Sequence, residues 1–317
     1  MNTSVSEPNH LFYLAPLQGF TDYTFREAFA AAFDKPDASF SPFIETHKPD
    51  HRAFRDVLPE RNTGSRVIPQ ILGNDGTEME TIMTQLQLMG YEEINWNLGC
   101  PFSRVTKRFM GAGLLPYPDR IDKLLEGLFT TIKCRISIKM RLGMTNTNEW
   151  EALAPVLNRY PLCEVIIHGR TASQMYKGEV NVQAFNEFAS LLSHPVCYNG
   201  NIFTFEQWNT LSTQLPGITR WMLGRGLLSN PLLIQEIKTG KKASETDYVT
   251  ALSTLHNYLL ELNTKRLNGS SHVLNKMKPY WEYFATFLTG REKGLKKIKK
   301  AITLDAYKLA CMEVFRT

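Results

Sequence analysis

Eight short β-rich runs alternate with helix-like segments along the first 225 residues, and this alternation narrows the possible folds more than any other feature. The runs cover residues 11–15, 38–44, 67–72, 93–98, 135–140, 164–168, 196–199 and 220–223. Segments with a 3.6-residue apolar period lie between or after them at 78–89, 118–132, 150–159, 184–192 and 231–237. Several runs, such as Val165-Ile166-Ile167 and Trp221-Met222-Leu223, are apolar without alternation, as parallel strands buried on both faces must be. An open doubly wound sheet would carry a Gly-rich phosphate loop after its first strand, but here that strand runs into Ala15-Pro16-Leu17-Gln18-Gly19. The pattern therefore predicts an α/β fold, a closed (β/α)8 TIM barrel over residues 1–237. Beyond about residue 240 the β signal stops, and helices are predicted over 248–262, 276–288 and 292–301, a small C-terminal helical domain covering 238–317.

Charge is divided along the same line. Residues 238–317 carry a balance of +8 and the rest −3, so the basic character belongs to the helical quarter and points to an anionic partner there. No stretch approaches the roughly 20 apolar residues of a membrane span. Met1 to Pro8 lack the basic start and apolar run of a leader, so a cytoplasmic protein is expected. The five cysteines form no CxxC pair and no zinc-ligand spacing, so neither a disulfide framework nor a metal site is expected. Cys134, Cys163 and Cys197 sit at or beside apolar runs and read as small core residues.

A barrel places its chemistry at the C-terminal ends of its strands. Those ends deliver Pro16, Gln70, Asn97, Cys100, Lys139, Arg141, His168, Arg170, Asn199, Gly224 and Arg225. The last two turns read Asn199-Gly200-Asn201 and Gly224-Arg225-Gly226, and glycines there let backbone N–H groups approach a phosphate. Lys139 could stabilise negative charge on a reduced flavin or form a Schiff base in an aldolase. Cys100, between Gly99 and Pro101 just past the fourth strand, lies where packing rarely requires a thiol. With an ordinary pKa of about 8.5, it would be mostly protonated at neutral pH and able to act as a general acid.

These motifs resemble the tRNA-dihydrouridine synthases. The matching stretches are Ala15-Pro16-Leu17-Gln18-Gly19-Phe20-Thr21-Asp22 with Phe25-Arg26, Pro69-Gln70, Asn97-Leu98-Gly99-Cys100-Pro101, Lys139-Met140-Arg141-Leu142-Gly143, His168-Gly169-Arg170-Thr171, Asn199-Gly200-Asn201-Ile202 and Gly224-Arg225-Gly226. The resemblance, in its bacterial DusC-like branch, implies an FMN enzyme that reduces the C5=C6 bond of a tRNA uridine with electrons from NADPH. It implies FMN contacts at Pro16, Leu17, Gln70, Lys139, His168, Asn199, Gly200, Asn201, Gly224 and Arg225. Cys100 would protonate C5 and Asn97 would hold the uracil edge. Arg141, Tyr176, Lys276, Lys278 and Lys299 are expected on the RNA side, in a monomer that binds neither metal nor membrane. Asn201 departs from the acidic residue and Leu17 from the methionine usual at their positions. The alternatives are a small-molecule flavin oxidoreductase of the dihydroorotate dehydrogenase kind and a catalytically silent RNA-binding protein. An aldolase using Lys139 stands behind both.

Overall fold

The structure is a computed structural model that describes residues 9–47, 49 and 51–316; Met1 to Pro8, on which the expectation about a leader rests, lie outside the described residues. Ten strands form one sheet: β1 Leu11–Leu14, β2 Ala38–Phe40, β3 Ile44–Glu45, β4 Val67–Ile68, β5 Gln70–Leu72, β6 Glu93–Leu98, β7 Arg135–Gly143, β8 Glu164–Thr171, β9 Val196–Asn199 and β10 Arg220–Leu223. Every pairing is parallel, in the order β3-β5-β6-β7-β8-β9-β10-β1-β2-β4. Burial on both faces explains the unbroken apolar runs. One face of the sheet encloses Tyr13, Phe40, Ile68, Ile166, Cys197 and Met222, while Phe12, Leu14, Val165 and Ile167 pack outward in the larger core. Cys197 is thus a core residue, as its apolar setting suggested.

The expected closed eight-stranded barrel is corrected. The sheet is an open half-barrel that curls through 330°, with edges 12 Å apart. The cause is local. Two of the eight runs are split, one at Pro42 and one at Pro69, and a proline cannot donate to a ladder. Val67–Ile68 pairs with β2, whereas Gln70–Leu72, one residue on, pairs with β3 and β6. Fully buried Ser41 bridges the split: its N–H donates to Ile68 O at 3.0 Å and its Oγ accepts from Gln70 N at 3.1 Å.

Helices flank the sheet, capped where the sequence offers a short polar side chain. Asp22 caps Tyr23–Ala32, Asp75 caps Gly76–Leu88 and Asn181 caps Val182–Leu191. The C-terminal extension comprises Glu245–Arg266, which opens with a Ser244/Asp247 capping box, then Ser270–Met277, Trp281–Phe284, Glu292–Lys300 and Leu304–Phe315. The continuous helix expected over 276–288 is instead three short pieces. Pro279 sits in a 3-10 turn, Lys278–Tyr280, and cannot continue an α-helical ladder.

The extension docks on the segment that follows β1. Tyr280 Oη donates to the Phe20 carbonyl, and the Phe20 ring meets Tyr280 and Tyr283 edge-on at 5.4 and 5.0 Å. Lys276 Nζ donates to Gly19 O at 2.7 Å and pairs with Asp22 at 3.0 Å, while Arg266 pairs with the same carboxylate at 3.1 Å. The Gly19-Phe20-Thr21-Asp22 motif is therefore the seat of the helical extension as well as a strand-end loop.

Candidate active site

One pocket opens at the C-terminal ends of the strands. Its walls include Pro16, Leu17, Asn97, Cys100, Lys139, Arg141, His168, Tyr176, Asn199, Gly200, Gly224 and Arg225, so most of the residues singled out from sequence converge there. Gln70 is fully buried and absent from that lining. It accepts from Asn97 Nδ2 at 2.7 Å and donates to Asn95 Oδ1 at 2.7 Å, tying the pocket floor to the sheet interior.

Cys100 is placed by its own loop. Asn97 Oδ1 accepts from the N–H groups of Gly99 and Cys100 at 3.0 and 2.9 Å, folding the chain sharply after β6. Gly111 returns against this turn so closely that a Cβ would lie 2.8 Å from Cys100 O, and its φ of +55° suits glycine. Burial pushes the thiol up from its ordinary pKa, while the Phe102 N–H, Arg104 and Arg141 pull it down. Burial wins, leaving a protonated thiol at neutral pH.

Arg141, 1% exposed, ties two loops together. Its guanidinium donates to Gly99 O at 3.0 Å, and to Thr171 O and Met175 O at 2.8 Å each. Met175 holds a φ of +54°, which throws the next residue, Tyr176, over the pocket. Arg141 and Arg225 lie 5.5 and 4.8 Å from the Tyr176 ring centre.

Lys139 Nζ donates to Asn199 Oδ1 at 2.8 Å. Burial, with Arg141 adding repulsion, holds its pKa down at about 7. Arg170 is fully buried; it donates to Gly178 O and Asn201 Oδ1 and lies 3.2 Å from His168 Nε2. Arg225 shares the same Asn201 oxygen at 2.8 Å. Asn201 thus serves the wall from behind, its side chain committed to two arginines. Arg170 was visible at the end of the sixth β-rich run, but its contact with His168 is set by rotamers that spacing does not reveal. Phe43 and Phe203 also line the pocket, and no sequence pattern marked them.

The pocket, through its charged side chains, suits an anionic ligand. Lys139, Arg141 and Arg225 line it, and no carboxylate does among the described residues. The two glycine turns are pressed together: a Cβ on Gly226 would fall 1.9 Å from Ile202 O, and one on Gly200 would fall 2.4 Å from the Tyr198 hydroxyl. Only glycine fits the packing of these two turns.

The proposed RNA lysines lie elsewhere. Lys276 is engaged by Gly19 O and Asp22 where the extension packs. Lys278 donates to the carbonyls of Lys299 and Ala301, closing the end of Glu292–Lys300, and the Lys299 side chain is exposed. Among the described residues no cluster of His, Cys, Asp and Glu could hold a metal ion, and no helix is long and apolar enough to cross a membrane.

The chain's relatives class it as a flavin-dependent oxidoreductase, here built on an open half-barrel. Solved structures agree on the fold. Morphinone reductase in complex with tetrahydroNAD is 11% identical, with a TM-score of 0.52 over 78% of this chain and 91% of that one. The old yellow enzyme homologue from Zymomonas mobilis is 10% identical, with a TM-score of 0.53 over 74% and 89%. Within that class the chain belongs to the dihydrouridine synthase (Dus) family, whose model matches residues 13–312. The tRNA-dihydrouridine(16) synthase of Ralstonia nicotianae is 25% identical over 80% of each chain. The tRNA-dihydrouridine synthase B of Vibrio cholerae is 29% identical over 71% of this chain and 70% of its own. The probable tRNA-dihydrouridine synthase 2 of Bacillus subtilis is 25% identical over 89% and 86%. Four of the relatives found carry the tRNA-dihydrouridine synthase B name, so the DusC-like branch is not specifically supported.

Proposed function

We propose that this chain reduces the C5=C6 bond of one uridine in tRNA, using FMN and electrons from NADPH, with Cys100 as the proton donor. The observation that carries this reading is Cys100 itself: a buried, protonated thiol on the wall of a pocket whose charged side chains are all cationic. FMN, when bound, would supply the hydride that adds to C6. The Gly200 and Gly224 turns would hold its phosphate, with Arg225 beside them, while Lys139 and His168 would serve its ring system. Cys100 gives its Sγ proton to C5. The Phe102 N–H, Arg104 and Arg141 then stabilise the resulting thiolate until water reprotonates it. Asn97 holds the Cys100 turn with its oxygen and borders the uracil position.

The target base must leave its stack to enter this pocket, at a cost of a few kcal/mol. Tyr176, 42% exposed at the rim, offers a face on which a flanking base can stack. The extension, residues 238–317, would dock the RNA through exposed lysines such as Lys299, which gives tRNA an advantage over a small pyrimidine. We place the enzyme in the cytoplasm as a monomer.

The test is mass spectrometry of unmodified tRNA incubated with the protein and NADPH. One uridine should gain two hydrogens, and Cys100→Ala should abolish most turnover while FMN stays bound. Full activity in that variant would refute the role of Cys100.

A further inference from the structure

We propose that Arg170 is a positioning residue, fixing His168 as the neutral tautomer protonated on Nδ1 so that the ring presents a hydrogen-bond donor to the pocket. Its use toward FMN rests on the function proposed above, but the tautomer itself does not.

A guanidinium has five donors and no acceptor, and it does not deprotonate in proteins. Arg170 Nη1 lies 3.2 Å from His168 Nε2, so that nitrogen must offer its lone pair and the ring proton must sit on Nδ1. Turning the ring over would set a carbon against the guanidinium and forfeit the bond. Arg170 cannot swing away, because Nε and Nη2 both donate to Gly178 O at 3.2 and 2.6 Å and Nη1 also reaches Asn201 Oδ1. His168 lines the pocket, and Nδ1 has no hydrogen-bond partner among the described residues.

The charged groups facing the imidazole all oppose a second proton: Lys139 and Arg141 from β7, Arg170 from β8 and Arg225 after β10. Burial adds to them, holding the ring well below its ordinary pKa. The Tyr176 ring 6.2 Å away and Asn199 beside it in register bring no carboxylate. The result is a donor that does not titrate through the physiological range.

The experiment is a long-range proton–nitrogen correlation spectrum of the uniformly nitrogen-15-labelled full chain, recorded with and without added FMN, with His168→Gln identifying the signals. In the unsubstituted protein Nδ1 should carry the proton and Nε2 should not, from pH 8 down to about 5. Arg170→Met should populate the Nε2-protonated form, make His168 titrate, and weaken FMN binding about tenfold, in line with losing one well-oriented hydrogen bond. Arg170→Lys should restore part of the charge effect but not the single tautomer. An Nε2 proton in the unsubstituted protein would overturn the proposal, as would an unchanged spectrum in Arg170→Met. If Arg170→Met does not fold, the unsubstituted spectrum still decides. A correct tautomer in a protein that neither binds FMN nor modifies tRNA would instead refute the proposed function and leave this inference standing.

Discussion

Asp22 ties the helical extension to the barrel, and its two oxygens do separable work. Oδ1 caps the helix Tyr23–Ala32 through the Phe25 N–H at 3.3 Å, and Oδ2 faces Arg266 and Lys276. The side chains of Asp22, Arg266 and Lys276 are only 17, 30 and 15% exposed, so these pairs should exceed an open surface bridge while falling short of a buried one. Taking roughly 1 kcal/mol for each pair and about 1 kcal/mol for the cap, Asp22→Ala should cost roughly 3 kcal/mol and Asp22→Asn, which keeps the cap, roughly 2. Urea unfolding would measure both. Raising the salt should shrink the Asp22→Asn cost and leave the difference between the variants unchanged, because the cap is a short-range hydrogen bond. A double-mutant cycle with Lys276→Met should return a coupling of about 1 kcal/mol. Equal costs for the two variants would show that the cap contributes nothing. A costless Asp22→Asn would show that the ion pairs do not hold the extension.

Three further outcomes follow from the same geometry. Lys139 has a folded pKa of about 7 against an unfolded value of about 10.4, so in that window the unfolded chain binds the extra proton and stability should rise with pH. Without added FMN, urea stability from pH 7 to 9.5 should therefore climb more steeply in the unsubstituted protein than in Lys139→Met, by up to about 1.4 kcal/mol per pH unit; equal slopes would contradict the buried lysine. Gly226→Ala drives a methyl against the Ile202 carbonyl and should cost on the order of 3 kcal/mol, with loss of flavin binding by fluorescence titration. Tyr307→Phe removes the hydroxyl that meets both Trp281 Nε1 and His256 Nε2 at 2.9 Å, and should cost roughly 2 kcal/mol by thermal unfolding without altering the Cys100 chemistry.

Much of this was legible in the sequence because parallel strands buried on both faces leave a distinctive record. The runs at 93–98, 196–199 and 220–223 match β6, β9 and β10 at both ends. β7 and β8 extend three residues past the expected 140 and 168, since Arg141 pairs with His168 and Gly143 with Thr171 across a register shift that residue type alone does not reveal. The splits at Pro42 and Pro69 were in plain view as prolines, yet their effect depends on which neighbour each half pairs with. Site residues were legible where function demands an unusual residue on a turn, as at Gly99-Cys100-Pro101. Lys276 and Lys278 show the limit: a basic residue near the extension can be a strut as easily as a phosphate ligand, and only its contacts tell which. Tyr23–Ala32, Phe205–Gln214 and Leu304–Phe315 lie outside the expected helices although Asp22, Thr204 and Thr303 cap them, because a short polar residue alone does not announce a helix.

The seam at Ser41 sets how the curl of the sheet could be undone. Elsewhere each inner strand is gripped by two hydrogen-bonded neighbours, so a nick in a surface loop would leave the curl intact. Between Ile68 and Gln70 the grip passes to one peptide unit and one serine hydroxyl. A circular permutant whose new termini open at Pro69 would keep every other strand pairing and yet lose the tie that bends the two ends toward each other. Gln70, whose N–H is part of that tie, also accepts from Asn97 in the pocket lining. The same Ser41 contacts thus bear on the seam of the sheet and on the support of the pocket.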